Sequence, residues 1–123
     1  MDIQENRSED RCIITHYTSN SITIDQHAYH DSLLLRANHC ETLVAQSLSE
    51  ITPDILRSQV EQHTEIVLIG TGHKTLPLPA PILDYLSQQK LPFEYMRTES
   101  AIRTYNTLVH DGRNVTALLI QNR

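Results

Sequence analysis

The run Ile66-Val67-Leu68-Ile69 constrains the fold more than any other stretch of this chain. Consecutive side chains of a strand point to opposite faces, so an unbroken aliphatic run is kept from water only when both faces are covered. Such a strand belongs in the middle of a sheet, with a layer above it and a layer below. After Gly70-Thr71-Gly72 the chain passes Pro77 and Pro79 to Pro81, which opens a helix over 81–90 with Ile82, Leu83 and Leu86 on its buried side. The segment Pro92 to Met96 is extended again. Strand 66–69, helix 81–90 and strand 93–96 form a βαβ unit, whose strands run parallel through a right-handed crossover. The loops Gly70–Gly72 and Arg97–Ser100 then leave the carboxyl ends of neighbouring strands, where open α/β sheets hold their ligands.

The flanking segments add elements to this centre. Thr52-Pro53-Asp54 starts a helix: the Thr52 hydroxyl can accept from an orphan N–H, Pro53 suits the first position, and Asp54 faces the positive dipole end. Ile51 and Leu56 are placed to staple that end, and Ile55, Leu56 and Val60 form its apolar stripe. Thr98 is expected to cap a third helix carrying Ala101, Tyr105, Leu108 and Val109, closed by Asp111-Gly112 with Gly112 left-handed. Val115 to Ile120 reads as the last strand. On the amino-terminal side, Cys12-Ile13-Ile14 is a short apolar run, and Ile22 and Ile24 alternate with Ser21 and Thr23 as in a half-buried strand. Asp25-Gln26 is a turn from which His27 to Tyr29 returns as a hairpin arm. Leu33 to Leu35 is a further strand, and Thr42 to Ala45 another. Met1 to Asp10 carries one hydrophobic side chain, Ile3, besides its methionine, so residues 1–11 are expected to be a flexible leader and 12–123 a single domain.

Composition narrows the function classes. The formal net charge of −5 gives a field that repels phosphate backbones, which argues against nucleic acid as a partner. No stretch approaches the roughly 18 apolar residues of a membrane span, and the amino terminus is polar and acidic, so cytoplasmic residence is the default expectation. Cys12 and Cys40 do not make a disulfide framework and read as free thiols in a reducing compartment.

Several chemistries can be set aside. Gly70-Thr71-Gly72 lacks the third glycine of a dinucleotide fingerprint, and Leu76-Pro77-Leu78-Pro79 separates it from its helix. Gly72-His73-Lys74-Thr75 mimics the end of a phosphate loop, but Gly70 stands two residues before Gly72 where that motif needs about five. A structural turn and an anion-binding turn both remain open for Gly70, Thr71 and Gly72. His16, His27, His30, His39, His63, His73 and His110 show no paired ligand spacing, so neither a metal nor another cofactor is expected. There is no Gly-x-Ser-x-Gly elbow, and neither cysteine has a nucleophile context. The better constellation is Arg97, Thr98, Arg103 and Asn106: two residues at a helix N-terminus and two more on one face, a guanidinium fork and an amide that can hold a carboxylate or phosphate. The alternative is that Arg103 and Asn106 tie the helix to neighbouring carbonyls while Tyr105 packs in the core.

Leu68-Ile69-Gly70-Thr71-Gly72, the helix-opening prolines, and Arg103-Thr104-Tyr105-Asn106 followed by Asp111-Gly112-Arg113 together resemble the Mth nine-three-eight-like domain of unknown function. That family includes small bacterial and archaeal proteins and a mitochondrial assembly factor for respiratory complex one. The likeness runs from about Ile13 to the C-terminus and includes Ser32-Leu33-Leu34-Leu35. It implies an α/β fold of three layers, with a central mixed sheet, helices, and an additional N-terminal β layer. It implies no settled reaction for the bacterial members and protein binding for the mitochondrial one. Where many relatives carry a Cys just before the Arg-Thr-Tyr-Asn run, this chain has Ile102, so thiol chemistry at that position is absent. Two functions follow. The first is a non-enzymatic binding or assembly-type protein, using the surface around Gly70–Gly72 and Arg97–Asn106 or an exposed helix face to hold a protein partner. The second is a small enzyme or ligand-binding protein for an anionic metabolite, with Arg103 and Asn106 converging in a pocket.

Overall fold

The computed structural model describes residues 12–121. The described residues open with an antiparallel meander, β1 (Ile14–Thr18), β2 (Ser21–Ile24) and β3 (His27–Tyr29). Asp25 and Gln26 link the last two with φ of 53° and 69°, the paired left-handed geometry whose twist suits a two-residue hairpin. The expected single hairpin is therefore one arm longer, because His16 to Thr18 continue the Ile14 run as β1.

The next elements are β4 (Leu33–Arg36), β5 (His39–Thr42), α1 (Pro53–Gln59), β6 (Ile66–Gly70), α2 (Ala80–Gln88), β7 (Phe93–Met96), α3 (Thr98–His110) and β8 (Val115–Leu119). The second sheet has the order β5-β4-β8-β6-β7. Strand β6 is parallel to β7 and β8, whereas β4 is antiparallel to β8 and β5, so the sheet is mixed. Alternation sorts its core into two faces. Leu33, Leu35, Leu68, Ala117 and Leu119 pack against α3 and the meander, while Leu34, Val67, Ile69 and Leu118 pack against α1 and α2. This is the three-layer arrangement the aliphatic run at 66–69 demands, with the meander sharing a layer with α3.

Local signals account for the helix ends. The Thr52 hydroxyl accepts from the Ile55 N–H at 3.2 Å, and Ile51 and Leu56 are buried together beneath α1. Gly112, with φ of 82°, ends α3: its N–H donates to the Val109 carbonyl and the Arg113 N–H to the Leu108 carbonyl. Helix α2 stops at Gln88 instead of reaching 90. Lys90 takes the left-handed conformation there, at φ 56°, its N–H donating to Ser87 and that of Leu91 to Leu86.

Two other expectations are corrected. The strand placed at Thr42–Ala45 lies at His39–Thr42, in register with Arg36 to Leu33. An edge strand needs one ladder only, so the polar alternation of His39 and Glu41 serves it, while Leu43 and Ala45 are drawn out of the sheet into the α1/α2 core. Thr98 is the first residue of α3 and not its cap. Arg97 holds the cap position with no side-chain hydrogen bond, because the Thr98 hydroxyl is directed elsewhere.

Candidate functional site at the carboxyl rim of the sheet

The ends of β6, β7 and β8 are joined by two threonines. The Thr98 N–H donates to the Gly72 carbonyl at 2.8 Å, and the Thr98 hydroxyl accepts from the Gly72 N–H at 2.9 Å while donating to the Ile120 carbonyl at 2.7 Å. Thr71 does the same on the other side: its N–H reaches the Met96 carbonyl at 2.8 Å, and its hydroxyl engages the Lys74 carbonyl and accepts from the Leu76 N–H. Both threonines are buried. Gly70 permits this closeness, since a Cβ there would lie 2.8 Å from Thr98 Oγ1 and 3.0 Å from Thr98 Cα. Gly72 turns the chain at φ 111°. The glycines of Gly70-Thr71-Gly72 thus have a structural role, and the Thr71 and Gly72 amides are engaged by protein groups.

Above this junction lies an open cleft of about 280 Å³. Buried Ile22, Ile102 and Ile120 contribute apolar surface to it. The β1–β2 turn supplies one wall through Tyr17, Thr18 and Ser19, and the β6–α2 loop supplies Gly72 and His73. Arg97, Thr98 and Glu99 enter from the start of α3, and Gln121 from the end of β8. Gln121 is fixed by Nε2 donating to the Tyr29 and Asp31 carbonyls at 3.1 and 2.7 Å, and by its N–H on the Ser32 hydroxyl.

The charged groups at the mouth are linked. Glu99 lies 3.4 Å from Arg97 Nη2 and 3.5 Å from Arg103 Nη1. Arg103 Nη1 also donates to the Tyr17 hydroxyl at 2.9 Å, and that bond, with Glu99 behind it, holds the guanidinium above its ordinary pKa. The result is an apolar floor under a rim of both charge signs.

The residues singled out by sequence separate into four groups. Gly72, Arg97 and Thr98 line the cleft; Gly70 and Thr71 form the junction beneath it. Arg103 reaches the rim only through Tyr17 and Glu99. Asn106 is turned to β1, where its Oδ1 accepts from the Ile14 N–H at 3.1 Å and its Nδ2 donates to the Ile14 carbonyl at 2.7 Å. Arg103 and Asn106 therefore do not converge as a fork and amide, and Tyr105 is buried with its hydroxyl donating to the Cys12 and Arg36 carbonyls. The sequence reading missed Tyr17, Ser19, Ile22, His73 and Gln121. The alternation at Ile22 was a signal for a strand but none for its place at a cleft, and nothing local marks Gln121. Among the described residues no group of three or more His, Cys, Asp or Glu is placed to hold a metal ion.

Residues 14–120 match the family described as "Protein of unknown function (DUF498/DUF598)". The chain belongs to this family. It is 27% identical over 124 residues to the 13 kDa major membrane protein of Francisella tularensis, an alignment covering 98% of this chain and 99% of that one. It is 39% identical over 61 residues to NADH dehydrogenase [ubiquinone] 1 alpha subcomplex assembly factor 3 of Rattus norvegicus, covering 50% of this chain and 33% of the rat protein, about a third of that relative's length. A crystal structure of a Bordetella parapertussis protein superposes with a TM-score of 0.83 at 24% identity, over 91% of this chain and 97% of the other. A Bordetella pertussis structure described as an Mth938-like domain gives 0.75 at 21% identity, over 90% and 86%. The family resemblance and the three-layer fold both hold. Among the described residues no helix is long and apolar enough to cross a membrane.

Proposed function

We propose that this protein is a non-enzymatic, assembly-type binding protein that holds a protein partner at the carboxyl-rim cleft. The observation that carries the reading is the composition of that cleft: Ile22, Ile102 and Ile120 below, with Arg97, Glu99, His73 and the Tyr17–Ser19 turn around them. An apolar centre with a polar, mixed-charge border is the anatomy of a protein interface. The likeness of half the chain to an assembly factor supports the same direction. The competing reading, an anionic metabolite in this crevice, keeps Arg97 and His73 but loses the convergence of Arg103 and Asn106, and Arg97 already faces Glu99. The encounter with the partner takes place in the cytoplasm.

The test compares capture of partner proteins from the source cell by the wild type and by Ser19→Trp, which places bulk on an exposed turn at the mouth without touching the core. Loss of a reproducibly captured protein by the variant, with unchanged thermal stability, supports the reading. Equal capture by both chains, or a midpoint raised by inorganic phosphate or small carboxylates and not in Arg97→Ala, favours the metabolite instead.

A further inference from the structure

Away from the cleft, the two thiols come together from distant parts of the chain. The Cys12 N–H donates to the Ala37 carbonyl at 2.6 Å, at the turn between β4 and β5. The Cys12 carbonyl shares the Tyr105 hydroxyl with the Arg36 carbonyl, at 2.7 and 3.1 Å. Across that turn Arg36 pairs with His39 and Leu35 with Cys40, so Cys40 returns along β5 beside the point where Cys12 is anchored. The His39 backbone amide faces the Cys12 sulfur, and the Tyr29 hydroxyl lies beside the Cys40 thiol. Both sulfurs pack against the same core, formed by the meander, α3 and one face of the central sheet. Both are free thiols of intermediate exposure, within reach of a small solute.

We infer that Cys12 and Cys40 form a reversible, intramolecular oxidation site that staples the entry of the meander to the edge of the central sheet. The co-reactant is a small-molecule disulfide. One Cys sulfur, as thiolate, attacks it and releases one small thiol; the second Cys sulfur then displaces the other small thiol, leaving a Cys12–Cys40 bond. Two protons and two electrons leave the protein, and the oxidant is reduced to two thiols. Burial raises both thiols above the ordinary range, helped by the Cys40 thiol at Cys12 and by the Glu41 carboxylate at Cys40, so the reaction is slow at neutral pH and accelerates as pH rises. The closed loop encloses β1 to β4, and therefore the turn that forms one wall of the cleft.

The full chain, fully reduced, is incubated with oxidised glutathione over a range of glutathione ratios, then denatured, alkylated and weighed intact. The expected product is a monomer that has lost both alkylatable thiols, yields a Cys12–Cys40 cross-linked peptide, reverts with dithiothreitol, and unfolds on the order of 10 °C higher than the reduced form. Cys12→Ser and Cys40→Ser should each abolish the cross-link and leave a mixed disulfide on the remaining cysteine. Glutathione on both cysteines of the wild type, a dimer linked between chains, or two thiols still alkylated under the most oxidising ratio would overturn the inference. The wild-type measurement decides the matter even if a serine variant fails to fold.

Discussion

Thr98 and Gly72 hold each other through a reciprocal pair of hydrogen bonds, 2.8 Å from the Thr98 N–H to the Gly72 carbonyl and 2.9 Å from the Gly72 N–H to the Thr98 hydroxyl. Because that hydroxyl also donates to Ile120, one buried side chain fixes the ends of two strands and the start of a helix. Thr98→Val keeps the shape and removes both side-chain bonds, leaving a buried N–H and a buried carbonyl without their partner. The expected cost is about 2–4 kcal/mol, read from urea unfolding, whereas Thr98→Ser should cost less than about 1.5 kcal/mol.

Asn106 joins α3 to β1 by engaging both backbone groups of Ile14. Asn106→Ala should destabilise by about 2 kcal/mol, and hydrogen exchange at the Ile14 amide should accelerate more than exchange in β6. Asn106→Asp should not rescue it, since a carboxylate accepts from the Ile14 N–H but faces the Ile14 carbonyl with a second acceptor.

Lys90 sits in the left-handed position that closes α2, at φ 56°, and is exposed. Glycine adopts that conformation without the Cβ clash, so Lys90→Gly is expected to stabilise the protein by roughly 0.5–1 kcal/mol in thermal or urea unfolding.

The Cys12 thiol is pushed from 9.0 up to about 11, by burial first and then by the Cys40 thiol beside it. In the unfolded chain it ionises near the ordinary value, so between about 9 and 11 the native state keeps a proton the unfolded state has lost. This contribution is fully present below pH 9 and fades as pH rises through the native value. Under reducing conditions the wild type should therefore lose more stability across that window than Cys12→Ala, as measured by urea midpoints at successive pH values.

What could be read from the sequence was local. The aliphatic run at 66–69 required two covering layers, Thr52-Pro53 opened α1, and Gly112 closed α3, each for reasons contained within a few residues. The parallel βαβ unit followed, and with it the common rim of Gly70–Gly72 and Arg97–Ser100. The failures were long-range. Asn106 and Arg103 share a helix face, but their partners, Ile14 and Tyr17, lie on β1, which no spacing within α3 could indicate. Strand β5 was displaced because Leu43 and Ala45 look like strand residues when only their apolarity is considered, while their burial is supplied by the helices on the other side of the sheet. Gln121 and Ser19 carried no signal because their neighbourhood exists only once the meander has docked on β8 and α3.

A protein partner seated in the cleft between the β1–β2 turn and the start of α3 lies within reach of a side chain at position 19 and out of reach of one on the far side of the sheet's amino end. The most direct measurement is photo-cross-linking in the source cell from a photoreactive side chain at Ser19, compared with one at Gln62, an exposed position preceding the amino end of β6. The expected result is a discrete cross-linked protein from position 19 that is absent from position 62 and lost when Arg97→Glu is added. The same cross-links from both positions, or none from position 19 while position 62 yields a discrete partner, would contradict it.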